Sequence, residues 1–204
     1  MTLRSTSVHD GSPIDPAFAM GAPDGVAAGN RSPHLAWEGV PEGTRSFAVF
    51  CVDPDAPASR EDVGVEGKTV AADRPRADFV HWVLFDIPAD VREIAEGADS
   101  DGVTVGGKAA EERPVGTRGG NSYTGWFEGD AAMAGSYNGY DGPHPPFNDA
   151  RVHRYVFTVV ALGTDTLGRG AGASREAVDA AIQGHDLARA SITGTYTLNP
   201  DLRG

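Results

Sequence analysis

Three apolar runs, each joined to a short polar segment, constrain the fold of this chain more than any other feature of its sequence. The runs span 46–52, 83–87 and 155–162, and their length and composition are typical of buried strands. The polar segments beside them are Asp53-Pro54-Asp55-Ala56-Pro57, His81-Trp82 and Val152-His153-Arg154-Tyr155. Because the ends of neighbouring strands can meet at one place, we expect these distant segments to form one polar pocket.

The rest of the sequence predicts a mainly β protein in which residues 1–204 form a single domain. A chain of 204 residues can bury most of its unfolded surface in one core. The 27 Gly and 14 Pro residues favour many turns and short strands over long helices. Strands are predicted at about 45–52, 80–87, 152–162 and 191–198.

One helix is predicted near the C-terminus, after Ser174 as N-cap and as far as Gly184, and a further helical turn is expected at 185–190. The stretches 58–78 and 98–150 show neither helical nor strand periodicity. Loops of this length are uncommon in a compact domain and often carry function. We therefore expect two long loops over one end of the sheet, above a small pocket.

The charge balance excludes some classes of partner. The sequence has 29 acidic and 17 basic residues, and Lys68 and Lys108 are its only lysines. A net charge of −12 argues against a nucleic-acid partner and against docking on anionic lipid. A solvated acidic surface fits a protein that works in concentrated salt, where charges are screened. A GC-rich genome, which favours Asp, Gly, Ala and Arg, is the alternative explanation.

No apolar run approaches the roughly 20 residues that a membrane span requires, so no membrane insertion is expected. The segment 1–10 lacks the apolar stretch of a signal peptide, which predicts a cytoplasmic protein. Cys51, the single cysteine, lies inside an apolar run. It is predicted to be buried and unreactive, because apolar surroundings raise the pKa of a thiol.

Six segments, in this order and at this spacing, resemble the phosphatidylethanolamine-binding protein family, also called Raf-kinase-inhibitor-like, and in particular its bacterial and archaeal branch. The segments are Ser32-Pro33-His34-Leu35-Ala36-Trp37, Asp53-Pro54-Asp55-Ala56-Pro57, His81-Trp82 with Ile87-Pro88, Gly139-Tyr140-Asp141-Gly142-Pro143 with Pro145-Pro146, His153-Arg154-Tyr155, and the C-terminal stretch 184–190.

The resemblance implies a β-sandwich with a small pocket for phosphate-like or other oxyanionic groups. It also implies a homodimer and a regulated protein partner, and no cofactor is expected. One departure is Arg151, at a position where many eukaryotic members carry Gly. The pocket residues that the resemblance implies, including two on its rim (Gly142 and Pro143), are Asp53, Asp55, His81, Gly142, Pro143, His153 and Tyr155.

The residue types suggest a division of roles within this set. An imidazole can donate a hydrogen bond to an oxyanion and can take up a proton as the anion binds. A carboxylate repels anions, so Asp53 is expected to orient a histidine, whereas Asp55 is expected to serve the turn. On a strand, Tyr155 faces the same side as His153, and Arg154 faces the opposite side, towards carboxylates. His144 is expected to face solvent, and His185 to reach the pocket rim from the helix.

Three functions remain open at this point. The first is a binding protein for a small anion such as phosphate or a phosphoryl headgroup, acting as a regulator of other proteins. The second is an interaction domain of the protease- or kinase-inhibitor type, in which the pocket is incidental. The third is a metal-dependent enzyme that uses His81, His153 and Asp53. Catalysis is not expected, because no nucleophile lies near an imidazole in the sequence pattern.

Overall fold

Two antiparallel sheets pack face to face in the computed structural model, which describes residues 1–203. This arrangement confirms the predicted mainly β sandwich. The strands within those residues are β1 Thr2–Arg4, β2 Leu35–Glu38, β3 Ser46–Pro57, β4 Arg76–Pro88, β5 Glu93–Ile94, β6 Glu112–Arg113, β7 Gly116–Arg118, β8 His153–Leu162 and β9 Asp186–Tyr196. The helices are α1 Tyr123–Trp126 and α2 Arg175–Ile182, with short 3-10 helices at Pro16–Phe18 and Pro200–Leu202.

The smaller sheet has the strand order β1-β2-β5, and the larger sheet has the order β6-β7-β4-β3-β8-β9. The four predicted strands are therefore the four long neighbours β4, β3, β8 and β9. Both β4 and β8 pair with β3. The polar segments that end these strands are thus brought to the same end of one sheet.

The strand β3 is continuously apolar from Phe47 to Val52 because the larger sheet is covered on both faces there. Phe47 packs with Trp37 of the smaller sheet, with 5.2 Å between the ring centroids. Phe50 lies on the opposite face, in a cluster with Val178 and Ile182 of α2. Cys51 is fully buried, and burial raises the pKa of its thiol well above the usual value, as predicted.

The helix prediction is correct for α2 but wrong for the segment after it. Ser174 caps α2 and its hydroxyl accepts a hydrogen bond from the amide of Ala177. Residues 185–190 do not form a helical turn. From Asp186 onward they belong to β9, and Ala188 and Ala190 pair with Ala161 and Val159 of β8. Pairing with a buried strand outweighs the favourable helix propensity of Leu187, Ala188, Arg189 and Ala190.

The prediction of a long loop at 98–150 is partly wrong. This stretch contributes β6 and β7 to the edge of the larger sheet, and it also contains α1. Several of its polar side chains are buried, including Asp99, whose carboxylate accepts hydrogen bonds from Trp82 and Arg118. The loop predicted at 58–78 is irregular as far as β4, which begins at Arg76. No helix among residues 1–203 is long and apolar enough to cross a membrane.

Candidate ligand-binding site

One cavity of about 200 Å³ lies where the three polar segments meet. Asp53 from β3, His81 from β4, and His153 and Tyr155 from β8 all line it. The rings of His81 and Tyr155 are 5.1 Å apart. The predicted convergence of these segments is therefore confirmed, and it follows from the strand order β4-β3-β8.

Strand alternation divides the polar residues of β8 between two faces. His153 and Tyr155 point into the cavity, whereas Arg154 points the other way and forms two hydrogen bonds to the carboxylate of Asp55, at 2.7 and 3.0 Å. The backbone amide of Arg154 donates a third hydrogen bond to Asp55 at 3.1 Å, and the guanidinium of Arg151 donates a fourth at 3.0 Å. Burial alone would raise the pKa of Asp55, but the hydrogen bonds and charge of Arg154 prevail and lower it.

These contacts correct the predicted role of Asp55. Its side chain is buried against Arg151 and Arg154 and does not line the cavity. The residue that caps the turn is Asp53, whose Oδ1 accepts a hydrogen bond from the amide of Asp55 at 2.7 Å. An irregular register between Asp53 and Ala56 accompanies this turn. Such irregularities are common where a strand borders a functional site.

Asp53 also orients His153, as predicted. Its Oδ2 lies 2.7 Å from Nδ1 of His153. The second ring nitrogen, Nε2, lies 3.1 Å from Oδ2 of Asp149, which in turn pairs with Arg76. Since carboxylates accept and each ring nitrogen must then donate, the imidazole is held in its charged form. Burial lowers the pKa of His153, but the hydrogen bonds to Asp149 and Asp53 outweigh burial and raise the pKa to about 9.

Neither nitrogen of His153 is therefore available to a ligand. The two carboxylates and the cations of His153 and Arg76 cancel, so the buried end of the cavity carries no net charge from this group. Asp149 and Arg76 were missed as site residues by the sequence analysis. The spacing of four residues between Asp149 and His153 was the only local signal that could have indicated the contact.

His81 is held in one tautomer by the backbone of the loop that contains Asp141. Its Nδ1 lies 2.8 Å from the carbonyl oxygen of Asp141 and must donate to it. Burial lowers the pKa of His81, and the nearby charge of Asp53 offsets only part of that effect. In the neutral ring Nε2 is then an acceptor, and it forms no hydrogen bond within residues 1–203.

Tyr155 supplies the complementary donor. Its side chain is fully buried, and its hydroxyl has no hydrogen-bond partner among the residues that the structure describes. Burial, together with the charge of Asp53, raises the pKa of Tyr155 well above the usual value, so the hydroxyl keeps its proton. A buried hydroxyl without a partner is uncommon in proteins and calls for an explanation.

A buried polar network fixes the loop that positions His81. The carboxylate of Asp141 accepts hydrogen bonds from Lys108 at 2.6 Å and from Asn30 and Asn121 at 2.9 Å each. The amide of Asp141 donates to the carbonyl of His81 at 2.9 Å. Lys108 could not be recognised as part of the site from the sequence, since Lys108 and Asp141 are 33 residues apart and no pattern links them.

Gly142 and Pro143 support the cavity without lining it, which corrects their predicted place on the rim. The carbonyl of Gly142 accepts a hydrogen bond from the hydroxyl of Tyr123, and the carbonyl of Pro143 accepts from the amide of Met20. A side chain at Gly142 would clash with the backbone, because its Cβ would lie 2.1 Å from the carbonyl oxygen of Phe18. The lining residues of this loop are His144, Pro145 and Pro146. His144 is exposed overall, as predicted.

The open end of the cavity is mostly apolar and was only partly anticipated. Phe79 and Trp126 form one side, with their ring centroids 6.1 Å apart. Arg60 places its guanidinium 4.6 Å from the centroid of Trp126 and donates to the carbonyl of Gly125 at 2.6 Å. The remaining apolar residues at this end include Ala56, Pro57, Val63, Pro145 and Pro146.

Asn148 joins two walls of the cavity. Its side-chain nitrogen contacts the carbonyl oxygens of Asp62, Val65 and Lys68 at 2.8–3.2 Å, and its Oδ1 accepts from the amide of Gly64 at 3.0 Å. The segment that carries Arg60 and Val63 is thereby connected to the segment that carries Pro146 and Asp149.

Two further predictions are not supported by the geometry. His185 is exposed beside the end of β9 that pairs with Leu162, at the opposite end of β8 from His153, and therefore cannot reach the cavity. The metal ligand set of His81, His153 and Asp53 would need a free nitrogen on His153, and both are hydrogen-bonded. Within residues 1–203 there is no group of three or more His, Cys, Asp or Glu side chains arranged to hold a metal ion.

Comparisons with known proteins agree with this architecture. The sequence model of the phosphatidylethanolamine-binding protein (PEBP) family matches residues 4–197. The protein YbhB of Escherichia coli is 32% identical over 197 residues, which cover 97% of this chain and 100% of YbhB. A protein of the archaeon Methanothermobacter thermautotrophicus is 33% identical over 167 residues, 82% of this chain and 83% of that protein.

A solved structure shows the same fold. The crystal structure of Escherichia coli YbcL, described as a new member of the mammalian PEBP family, has a TM-score of 0.70 and 28% sequence identity to this chain. The match covers 96% of this chain and 97% of YbcL. The chain therefore belongs to the phosphatidylethanolamine-binding protein family, and its relatives include bacterial and archaeal members.

Proposed function

We propose that this protein binds a small phosphate-like anion, either phosphate itself or a phosphoryl group, in the cavity between His81 and Tyr155. The observation that carries the proposal is the buried hydroxyl of Tyr155, a donor with no partner among the described residues, in a ring that lies 5.1 Å from the ring of His81. Membership of the PEBP family supports the same function.

The donor and the acceptor together specify the protonation state of the ligand. A singly protonated phosphoryl group can accept from the Tyr155 hydroxyl and can donate its own P–OH to Nε2 of His81. The carboxylates of Asp53 and Asp149 balance the charges of His153 and Arg76. This group of side chains therefore gives the anion no net electrostatic attraction. Binding thus rests on short hydrogen bonds, each worth about 1.5–3 kcal/mol when one partner is charged. Two or three such bonds correspond to affinities in the micromolar to millimolar range.

Isothermal titration calorimetry with inorganic phosphate tests the proposal. We expect saturable binding at one site per chain, and loss of most of that binding in the Tyr155→Phe variant. The matched control is Tyr196→Phe, which removes a buried hydroxyl that donates to the carbonyl of Gly21 outside the cavity. Equal binding by the wild type and Tyr155→Phe, or the absence of binding by the wild type to any phosphate compound, would contradict the proposal.

A further inference from the structure

We propose that this protein has a second binding site, a polar cleft beside the N-terminal end of α2 that takes a small neutral molecule with several hydroxyl groups, such as a monosaccharide or an inositol. The cleft has a volume of about 310 Å³ and shares no lining residue with the cavity at the ends of β3, β4 and β8. Its walls come from three parts of the chain, within 120–124, 136–138 and 172–176. The site is therefore separate from the one described above.

The side chain of Asn138 is the observation that points to a ligand. Asn138 is only 2% exposed, and it lines the cleft. Its Nδ2 donates to the carbonyl oxygen of Lys108 at 2.9 Å and to that of Ser136 at 3.3 Å. Because only the nitrogen can donate to a carbonyl, the orientation of the amide is fixed and Oδ1 faces away from these partners. Oδ1 accepts no hydrogen bond within residues 1–203, whereas an enclosed acceptor of this kind normally has a donor.

Two glycines leave Oδ1 of Asn138 open to the cleft. A Cβ on Gly172 would lie 3.6 Å from this oxygen, and a Cβ on Gly120 would lie 3.8 Å from it. The Cβ on Gly120 would also lie 3.3 Å from the carbonyl oxygen of Gly172. A side chain at either position would therefore occupy the space in front of the amide oxygen. The floor of the cleft is bare backbone, which lets a ligand approach closely.

The walls supply donors that complement this acceptor. Oγ of Ser122 accepts from the amide of Val80 at 2.8 Å, and Oγ of Ser136 accepts from Nδ2 of Asn138 at 3.2 Å. Neither hydroxyl donates a hydrogen bond within residues 1–203, so both protons can be donated to a ligand. Nε of Arg175 donates to Asp179, and its two terminal nitrogens have no partner in the described part of the chain. The ligand must therefore donate to Asn138 and accept from its neighbours, and a hydroxyl group does both.

The charges at the rim favour a neutral molecule over an ion. The amide of Glu176 and the hydroxyl of Ser174 lower the pKa of the Glu176 carboxyl, so a negative charge already stands at the N-terminal end of α2 and opposes an anion. A cation is opposed by Arg175, whose guanidinium lies 4.5 Å from the ring centroid of Phe50. An apolar ligand is also disfavoured, because Val80 is the only lining residue besides the glycines that has no polar side-chain atom.

Titration of the isotope-labelled protein with D-glucose and with myo-inositol, followed by ¹H–¹⁵N NMR, tests the proposal. We expect saturable shifts of the amide signals of 120–124, 136–138 and 172–176 with at least one of these polyols. A few hydrogen bonds between neutral groups correspond to a dissociation constant in the millimolar range. Free L-alanine, which is a zwitterion and could pair with both Arg175 and Glu176, is the competing ligand and should shift none of these signals. Saturating phosphate should not weaken polyol binding, because the two sites are separate.

Two variants assign the shifts to the cleft. Gly120→Ala fills its floor, and the backbone of Gly120 is not in the left-handed region that disfavours alanine. We expect it to weaken polyol binding at least about tenfold. The matched control is Gly170→Ala, where the added Cβ meets nothing within 4 Å and lies outside the cleft. If Gly120→Ala does not fold, Ser136→Ala serves instead, because Ser136 is exposed. Loss of its hydroxyl should weaken binding about three- to tenfold.

Three results would overturn the proposal. The first is that neither polyol shifts the signals of the cleft. The second is that L-alanine shifts them and the polyols do not, which would assign the cleft to a zwitterion. The third is that polyol binding is equal in the wild type, Gly120→Ala and Ser136→Ala, which would place the bound polyol elsewhere on the molecule. None of these results bears on phosphate binding beside His81 and Tyr155.

Discussion

Oδ2 of Asp149 lies 3.1 Å from Nε2 of His153, so a second carboxylate closes the side of the ring that Asp53 leaves open. His153 is thereby a cation of the folded protein at neutral pH, and its two ring nitrogens are already occupied by carboxylates. The histidine that keeps a free ring nitrogen is His81, which is neutral and has a defined tautomer. Of the two histidines of the site, one is therefore charged and the other neutral, and their surroundings account for the difference.

The raised pKa of His153 predicts that stability falls in mildly alkaline solution. A histidine in the unfolded chain has a pKa near 6.5, and in the folded protein that of His153 is about 9. The stabilisation is therefore complete below pH 6.5 and is lost as the pH rises to 9. The expected decrease in the free energy of unfolding is about 3 kcal/mol, measured by urea denaturation at pH 6.5 and pH 9.

The control for this experiment is Asp53→Asn, which removes one of the two carboxylates that raise the pKa of His153. In this variant the free energy of unfolding should decrease less as the pH rises, and the decrease should be complete at a lower pH. An unfolding free energy that is constant from pH 6.5 to 9 in the wild type would show that His153 is not held as a cation.

Tyr155→Phe is expected to reduce ligand binding without reducing stability. The hydroxyl has no partner in the free protein, so its removal relieves an unpaired buried group and should leave the free energy of unfolding unchanged or raise it by up to about 1 kcal/mol. Tyr196→Phe should instead lose about 1 kcal/mol, because that hydroxyl donates to Gly21. Chemical denaturation of both variants distinguishes them, and equal losses would mean that Tyr155 has a partner after all.

Binding of a phosphate monoester is expected to weaken as the pH rises above neutrality. The complex contains one proton between the phosphoryl oxygen and Nε2 of His81. A monoester has a second pKa near 6, and burial keeps His81 neutral. Above that pKa, the fraction of monoester that still carries the shared proton falls about tenfold for each pH unit. The dissociation constant of n-propyl phosphate should therefore rise about tenfold from pH 7 to pH 8. Calorimetry in buffers of different ionisation enthalpy should also show that a proton is taken up on binding. A dissociation constant that does not change with pH would exclude the shared proton.

Lys108→Met is expected to be strongly destabilising. It leaves the buried carboxylate of Asp141 without its cation, and the loss of one partner of a buried ion pair costs about 3–5 kcal/mol. The matched control is Lys68→Met, since Lys68 is the only other lysine and is exposed. That variant should change the free energy of unfolding by about 0.5 kcal/mol at most. Similar losses in the two variants would contradict a structural role for the Lys108–Asp141 pair.

Salt is expected to stabilise the protein. The 29 acidic residues outnumber the 17 basic ones, and their mutual repulsion is screened over a Debye length of roughly 3 Å at 1 M salt. The unfolding temperature should therefore rise from low to molar potassium chloride. If it does not change, the composition of the chain reflects a biased genome rather than adaptation to salt.

The central strands were predictable because their burial on two faces produces uninterrupted apolar runs. The positions of Asp53, His81, His153 and Tyr155 at the ends of those runs then predicted the cavity. The segment 185–190 was mispredicted because its strand conformation depends on pairing with β8, a contact that local propensity does not contain.

The partners of the site residues were less predictable than the residues themselves. Asp149 lies in an irregular segment whose path is fixed by side-chain contacts such as those of Asn148. Lys108 reaches Asp141 from a different part of the chain. Hydrogen bonds of this kind depend on the complete three-dimensional arrangement and leave no periodic pattern in the sequence.

The side-chain amide of Asn148 limits how far the cavity can change shape when a ligand binds. Because it fastens two facing walls to each other, neither wall can swing outward alone without breaking several bonds at once. We therefore expect a ligand to enter without either wall closing around it. Crystals grown with and without a bound phosphate ester should superimpose closely in this region.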